Sequence, residues 1–288
     1  MTALSSEQLV ALASSAKLKR VGKRQPIPSY IVDTWHRRAF AAALARYQLE
    51  ASTVKSSLGV AWLVLVPALQ VAVYGLIFGV LLGASRPANY LPYMISGIVL
   101  FQYLSGVFTD GAKSITGNYS LVRSLNFPRM LLPVSAVLSN LYRTVPLVGL
   151  MLITLAILGE PVRLEWLLIL PVLVLMTIFA AGLAMLSARL TVHLADLNQL
   201  IPFITRVAFY VSGVFASVDK IVDQYPAVAG IMNSNPVHAY LVIARGALVS
   251  GYSAGPIDWV IASVWAVGTL GFGLVFFWLA EERYGRNV

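Results

Sequence analysis

Cysteine is absent from this 288-residue chain and charge is scarce: 11% of residues are charged, only 12 of them acidic, and there are 3 histidines. Without cysteine there is no disulfide, no thiolate metal site and no cysteine nucleophile. The scattered histidines, His36, His193 and His238, form no ligand cluster, and no His-Glu-x-x-His pattern or acidic pair at metal spacing occurs. Gly22-Lys23-Arg24 lacks the preceding glycine loop and following hydroxyl residue of a phosphate-binding loop. The chain therefore carries no visible catalytic constellation and no energy source of its own. Against 58% hydrophobic residues and a mean hydropathy of +0.78, so little charge excludes a soluble enzyme, a disordered tail and a DNA-binding domain. Soluble domains average about 25% charged residues.

What is present is apolar sequence in long runs. A membrane helix needs about 20 apolar residues to cross about 30 Å of hydrocarbon. Six stretches qualify: 62–83, 91–109, 130–158, 166–188, 200–217 and 257–280. The apolar zone 218–255 does not, because Asp219, Lys220, Asp223, Pro226, Asn233, Asn235, Pro236 and Arg245 interrupt it. It predicts two short helices, 222–232 and 236–249, re-entrant or interfacial, with Asn235 capping the second and Pro236 at its first position. The expected fold is an all-α integral membrane protein with six spans. An interfacial amphipathic helix precedes them, and two re-entrant gate helices precede the last. The divisions are an N-terminal segment 1–56, a transmembrane domain 57–280 and a tail 281–288, with Glu281-Glu282 a solvated tail or the end of span six.

The net charge of +9 is a matter of topology. Of 21 basic residues, nine precede the first span, Lys113, Arg123 and Arg129 follow the second, Arg189 follows the fourth, and Arg283 and Arg286 lie in the tail. The other side holds only Arg86, Arg163, Lys220 and Arg245. The positive-inside rule then places both termini in the cytoplasm. Nucleic acid is not needed to explain the excess. The basic N-terminus runs into Pro26 and Pro28 with no apolar core, so it is not a signal peptide. A helix over 29–47, capped by Ser29, puts Ile31, Trp35, Ala39 and Ala42 on one face. Beside Arg37 and Arg38, with Arg46 and Lys55 further on, it reads as a helix lying on the headgroups or as a solvated linker.

The loop after the second span contains Asn118-Tyr119-Ser120-Leu121-Val122, then Phe127-Pro128-Arg129, then Leu132-Pro133. A helix over 117–127, stopped by Pro128, offers Leu121, Val122 and Leu125 to a groove, with Asn118 and Arg123 polar. Taken alone it fits partner docking and headgroup contact equally. Three further segments accompany it in order: Leu58-Gly59-x-x-Trp62 with Pro67, Asp196 with Tyr210 to Phe215, and Asn235-Pro236 followed by Arg245. Together these resemble the polysaccharide-exporting ABC permease family, which includes O-antigen and teichoic acid export permeases. The resemblance covers residues 29–280.

That resemblance implies a half-transporter in the bacterial plasma membrane. Two copies form the path and two separate ATPase subunits drive it. The partner subunits bind ATP and Mg, and this chain binds no cofactor. The implied substrate is a polyprenyl-pyrophosphate-linked polysaccharide, and the basic N-terminus is similar to that of an actinobacterial galactan exporter. The 117–127 segment becomes the helix that couples to the ATPase, and the helix at Trp35 a second contact and headgroup guide. Arg143 and Arg206 lie inside spans, where a charge is expensive and points to function. Either can meet pyrophosphate or sugar hydroxyls, or pair structurally, and Arg206 is close enough to the cytoplasmic end to snorkel. Tyr74, Phe78, Phe101, Tyr103, Phe203, Phe209 and Tyr210 are the aromatic faces available to sugars, or else core and interfacial aromatics. Asn235, Pro236 and Arg245 belong to the outward gate. Rival readings are an ABC exporter of drugs or smaller lipids, a multi-span membrane enzyme, or a channel.

Overall fold

The computed structural model describes residues 25–54, 59, 61–81, 89–215, 227, 230, 232, 234–281 and 284. Every regular element among them is helical. In chain order these are α1 (Ile27–His36), α2 (Arg38–Val54), α3 (Ala61–Leu81), α4 (Tyr90–Lys113), a 3₁₀ turn (Thr116–Asn118), α5 (Tyr119–Ser124), α6 (Leu131–Ile157), a 3₁₀ turn (Leu164–Leu168), α7 (Ile169–His193), α8 (Leu197–Val211), α9 (Pro236–Leu248) and α10 (Pro256–Leu279). Four are long and apolar enough to cross a membrane: Tyr90–Lys113, Leu131–Ile157, Leu164–His193 and Pro256–Leu279. They follow the predicted second, third, fourth and sixth spans.

α4 is the centre of the bundle, its residues the most enclosed of the four. It packs on α6, α7 and α3, while α10 lies along α7. Small residues set the closest approaches, as expected where helices meet in an apolar medium. A Cβ on Gly273 would stand 2.9 Å from the Gly182 Cα, and one on Gly111 would stand 2.7 Å from the Ala184 Cα. Gly182 itself abuts the α10 backbone at Thr269 and Leu270. The side chain of valine cannot be accommodated there by rotamer change alone. Gly182→Val is expected to force α7 and α10 apart and lower stability by about 1–3 kcal/mol. Thermal unfolding in detergent checks this, and an unchanged midpoint would show the helices are not backbone-packed.

Four expectations change. The single helix over 29–47 is two helices broken at Arg37 (φ −96°, ψ 16°). It also starts earlier, at Ile27, because Pro28 suits a first turn whose N–H groups have no helical acceptor. Ser29 consequently is not the cap, and its hydroxyl donates to the Pro26 carbonyl instead (2.8 Å). The helix expected over 117–127 is a 3₁₀ turn followed by α5, which ends at Ser124 with Leu125 extended. Pro128 therefore is not what stops it. The predicted span 200–217 overlaps α8, which starts earlier, at Leu197, and whose 15 residues stop at Val211. They rise about 22 Å, and Gly213 (φ +72°) turns the chain away. The first expected gate helix, 222–232, lies mostly outside the described residues, as does Lys55. The second is α9.

Candidate functional site

α1 and α2 have two apolar stripes where the sequence suggested one. Tyr30, Thr34, Ala41 and Ala45 are buried, and α2 lies against α6. Ile31, Val32 and Trp35 point outward, Trp35 being 66% exposed. The Arg38 guanidinium carbon stands 4.9 Å from the Trp35 ring centre, and Arg37 and Arg46 are exposed. Of the expected outward stripe, Ala39 is exposed and Ala42 half-buried.

The loop between α5 and α6 is fastened to these helices. Arg37 Nη1 donates to the Asn126 carbonyl (3.0 Å), and the Phe40 and Phe127 rings are 5.2 Å apart. These contacts draw 126–127 off a helical course after the extended Leu125 and account for the early end of α5. Asn118 donates through Nδ2 to the Ser114 carbonyl (2.7 Å), closing the end of α4. Val122 and Pro128 are buried, Leu121 and Phe127 half-buried, and Arg123, Ser124, Leu125 and Asn126 exposed. The outward face of the loop is thus a basic, polar ridge carrying one large apolar side chain, Leu125 at 49% exposure.

Behind that ridge is a buried ionic node. Glu281, just past α10, is 6% exposed. Its Oε2 accepts from the Tyr30 hydroxyl (2.8 Å) and its Oε1 from the Arg129 backbone N–H (3.1 Å). The Arg129 guanidinium donates to the Glu281 carbonyl oxygen (2.9 Å) and pairs with Oε1 (3.5 Å). The Tyr30 oxygen in turn accepts from the Met130 N–H (3.1 Å). One carboxylate therefore ties the first helix, the loop and the last helix together. Burial pushes the Glu281 carboxyl above its ordinary value, against the pull of the Arg129 N–H, the Tyr30 hydroxyl and the guanidinium. Burial, with Glu281 beside it, also raises Tyr30 well above an ordinary phenol, so it stays a donor. The expectation of a solvated tail is corrected at Glu281. A glutamate just beyond the end of a long apolar stretch was the available signal.

Arg143 has no acid in its own helix, but α4 supplies one. Its Nη1 stands 3.8 Å from Asp110 Oδ2, which also accepts from Asn140 Nδ2 (2.9 Å). Both border a polar cavity of about 190 Å³. Arg206 stands apart, exposed on α8 and outside the lining of that cavity.

Five of the seven aromatics singled out in sequence converge. Tyr74 and Phe78 of α3 and Phe209 and Tyr210 of α8 pack around Phe215, and Phe101 of α4 joins them through Phe209. Ring-centre separations include 4.5 Å for Phe78–Phe215, 4.8 Å for Tyr74–Phe215 and Phe209–Phe215, and 4.9 Å for Phe101–Phe209. Tyr103 is elsewhere, buried in the core with its hydroxyl donating to Thr177 Oγ1 (2.9 Å). Phe203 is exposed on α8. A mainly apolar cavity of about 200 Å³, with Ser105 and Thr205 in its lining, opens beside Phe101, between α4, α7, α8 and the start of α9.

The Asn-Pro…Arg segment is a capped, cross-linked helix. Asn235 Oδ1 accepts from Val237 N–H (3.0 Å), with Pro236 in the first turn, as expected. Arg245 is 2% exposed. It donates to the carbonyls of Tyr93 (3.3 Å), Gly213 (2.9 Å) and Val214 (3.1 Å), and lies over the Tyr93 ring at 3.4 Å. Gly97 makes room for it, since a Cβ there would sit 2.5 Å from Nη2. The guanidinium thereby satisfies the carbonyls left open beyond α8 and joins α9 to α4. Among the described residues no group of histidine, aspartate and glutamate could hold a metal ion.

The sequence is similar to those of known transporters. An O-antigen export system permease protein of Klebsiella pneumoniae is 23% identical over 197 residues, covering 68% of this chain and 74% of the relative. The corresponding permease of Myxococcus xanthus is 29% identical over 190 residues, covering 65% and 72%. The model of ABC-2 type transporters matches residues 40–249, a stretch that takes in the α5 loop, the Arg143 cluster, the aromatic cluster and Arg245. With well over half its length matched, the chain belongs to the ABC-2 type transporter family.

Proposed function

We propose that this chain is the membrane subunit of an exporter that moves a polyprenyl-pyrophosphate-linked polysaccharide, a galactan in the reading from its N-terminus, from cytoplasm to outer face. It works as a homodimer in the bacterial plasma membrane, driven by two copies of a separate ATPase subunit that hold ATP and Mg. Both termini are cytoplasmic. α3 and α8 complete six spans, and α9 belongs to a re-entrant outward gate. The observation that carries the reading is family membership together with relatives that export O-antigen.

The geometry supplies a route for force. An ATPase pressing on the ridge at Arg123 and Leu125 moves Phe127, Pro128 and Arg129, and the buried bond to Glu281 passes that motion to α10. Asn118, Leu121 and Val122 anchor the same segment from inside. The outward stripe at Trp35, with Arg37, Arg38 and Arg46, lies on headgroups. Tyr74, Phe78, Phe101, Phe209 and Tyr210 offer ring faces along the path, and Arg143 and Arg206 offer charge.

Depleting the protein is expected to make a lipid-linked glycan accumulate on the cytoplasmic side. If no such glycan accumulates while a smaller lipid does, the rival reading, favoured by the apolar cavity beside Phe101, replaces this one.

A further inference from the structure

α8 is held firmly at one end only. Just past it, the Gly213 carbonyl accepts from Arg245 Nη1 (2.9 Å) and the Tyr93 hydroxyl (2.8 Å), and the Val214 carbonyl accepts from Arg245 Nη2 (3.1 Å). Ser212 Oγ accepts from Asn235 Nδ2 (3.2 Å), Phe209 packs on Phe215, and residues 212–215 are all buried. Toward the Leu197 end these restraints stop. Ile201 is the one buried residue of α8. Among the described residues, the hydrogen bonds of 197–211 stay within the helix and the turns at its ends. The two faces of the helix also differ. Ile201, Thr205 and Ala208 form one stripe at helical spacing and are buried or half-buried, whereas Phe203, Arg206 and Tyr210 form the opposite stripe and are exposed. Behind the first stripe lies the cavity of about 200 Å³, where Thr205 and Ala208 share a lining with Ser105 and Phe108 of α4 and Phe179 of α7. Close-packed interiors leave few spaces larger than a water molecule, so a cavity of this size along one helix marks a joint that packing does not fix.

We propose that α8 is a lever: it pivots about its pinned end at Gly213, and the cavity behind it is the space into which its Leu197 end swings. At 1.5 Å of rise per residue, a tilt of about 15° carries that end through roughly 6 Å. The carbonyls held by Arg245 stay in place during such a tilt. α9 is the fixed post of the pivot. Besides Asn235 and Arg245, it is tied to α10 by the Tyr240 hydroxyl on the Ala262 carbonyl (2.9 Å). The loop that follows it is tied to Glu160 Oε2 by the Ser250 N–H (2.8 Å) and to Asn89 Nδ2 by the Ser250 carbonyl (2.9 Å). The stripe of Phe203, Arg206 and Tyr210 travels with α8, so closing the cavity on one face widens the space along the other. That a transport path runs along that face rests on the exporter reading, whereas the pivot does not.

The chain has no cysteine, so introduced pairs take spin labels at no other position of it. Gln199→Cys with Lys113→Cys spans the free end of α8, and Val211→Cys with Leu91→Cys spans the pinned end. Labelled full-length chains are assembled with the ATPase subunit in nanodiscs, and both distances are measured without nucleotide and with ADP and vanadate. The free-end distance is expected to change by roughly 6 Å and the pinned-end distance by less than about 2 Å. Ser105→Leu and Ala208→Leu each fill the cavity, from different helices, so one remains should the other fail to fold. Each is expected to keep or raise the melting midpoint, to halve the free-end change or more, and to lower export by about tenfold. Equal change at both ends, no change at the free end in complexes that hydrolyse ATP, or filled variants that move and export like wild type overturns the lever. The distances need no glycan, so the two readings fail separately. Glycan accumulation on depletion without free-end motion sinks the lever alone, and free-end motion without such accumulation sinks the exporter reading alone.

Discussion

Arg245→Ala is expected to lose about 3–5 kcal/mol of stability, from the carbonyl bonds it gives up and the cavity it leaves. The variant leaves the carbonyls of Tyr93, Gly213 and Val214 short of their donor, each orphan costing about 1–3 kcal/mol. It also empties a space that Gly97 exists to provide. Arg245→Met refills the volume without the donors, so its loss is smaller but still large. Gly213 O retains one donor, the Tyr93 hydroxyl (2.8 Å), which limits the damage at that point. Thermal unfolding of the solubilised protein should rank wild type above Met above Ala. Equal midpoints for all three would show that the guanidinium does not hold α9 to α4.

Glu281→Ala carries the second large effect, on stability and on coupling. It strips the acceptor from the Tyr30 hydroxyl and the Arg129 N–H, and a loss of about 3 kcal/mol is expected. Glu281→Gln keeps an acceptor for Arg129 but turns a second donor toward Tyr30, so it falls between. If Glu281 passes force from the loop to α10, both variants hydrolyse ATP near the normal rate and export at about a tenth of it, the effect of losing roughly 1.4 kcal/mol of coupling. Export and hydrolysis falling in equal proportion would instead assign Glu281 to folding alone. Acidity gives an independent check. The folded carboxyl binds its proton more tightly than the unfolded one. Its contribution is therefore complete below the unfolded value and declines as pH rises through the raised folded value. Glu281→Gln should lack that decline.

The long helices were legible because a bilayer tolerates few alternatives to about 20 apolar residues in a row. The capping of α9 was legible because Asn-Pro is a local signal whose chemistry needs nothing from the rest of the chain. The aromatic cluster was half legible: residue types were evident, but not that Phe215 is its hub or that Tyr103 faces the opposite way. What escaped depends on partners distant in sequence. The early end of α5 comes from Arg37 on Asn126 and Phe40 on Phe127. The acid beside Arg143 sits on α4, 33 positions back. Glu281 meets Tyr30 across 251 positions, so the local sequence offers only a solvated tail or the end of span six and not the partner.

The central claim is tested most directly by transport itself. Inside-out vesicles containing this chain and its ATPase subunit are loaded on their outer face with a polyprenyl-diphosphate-linked glycan, and protection of the glycan from an added glycosidase is followed. ATP-dependent protection that vanishes when this chain is omitted is the expected result. Glycan that stays accessible with ATP, in vesicles whose ATPase is bound and hydrolysing, would contradict the account.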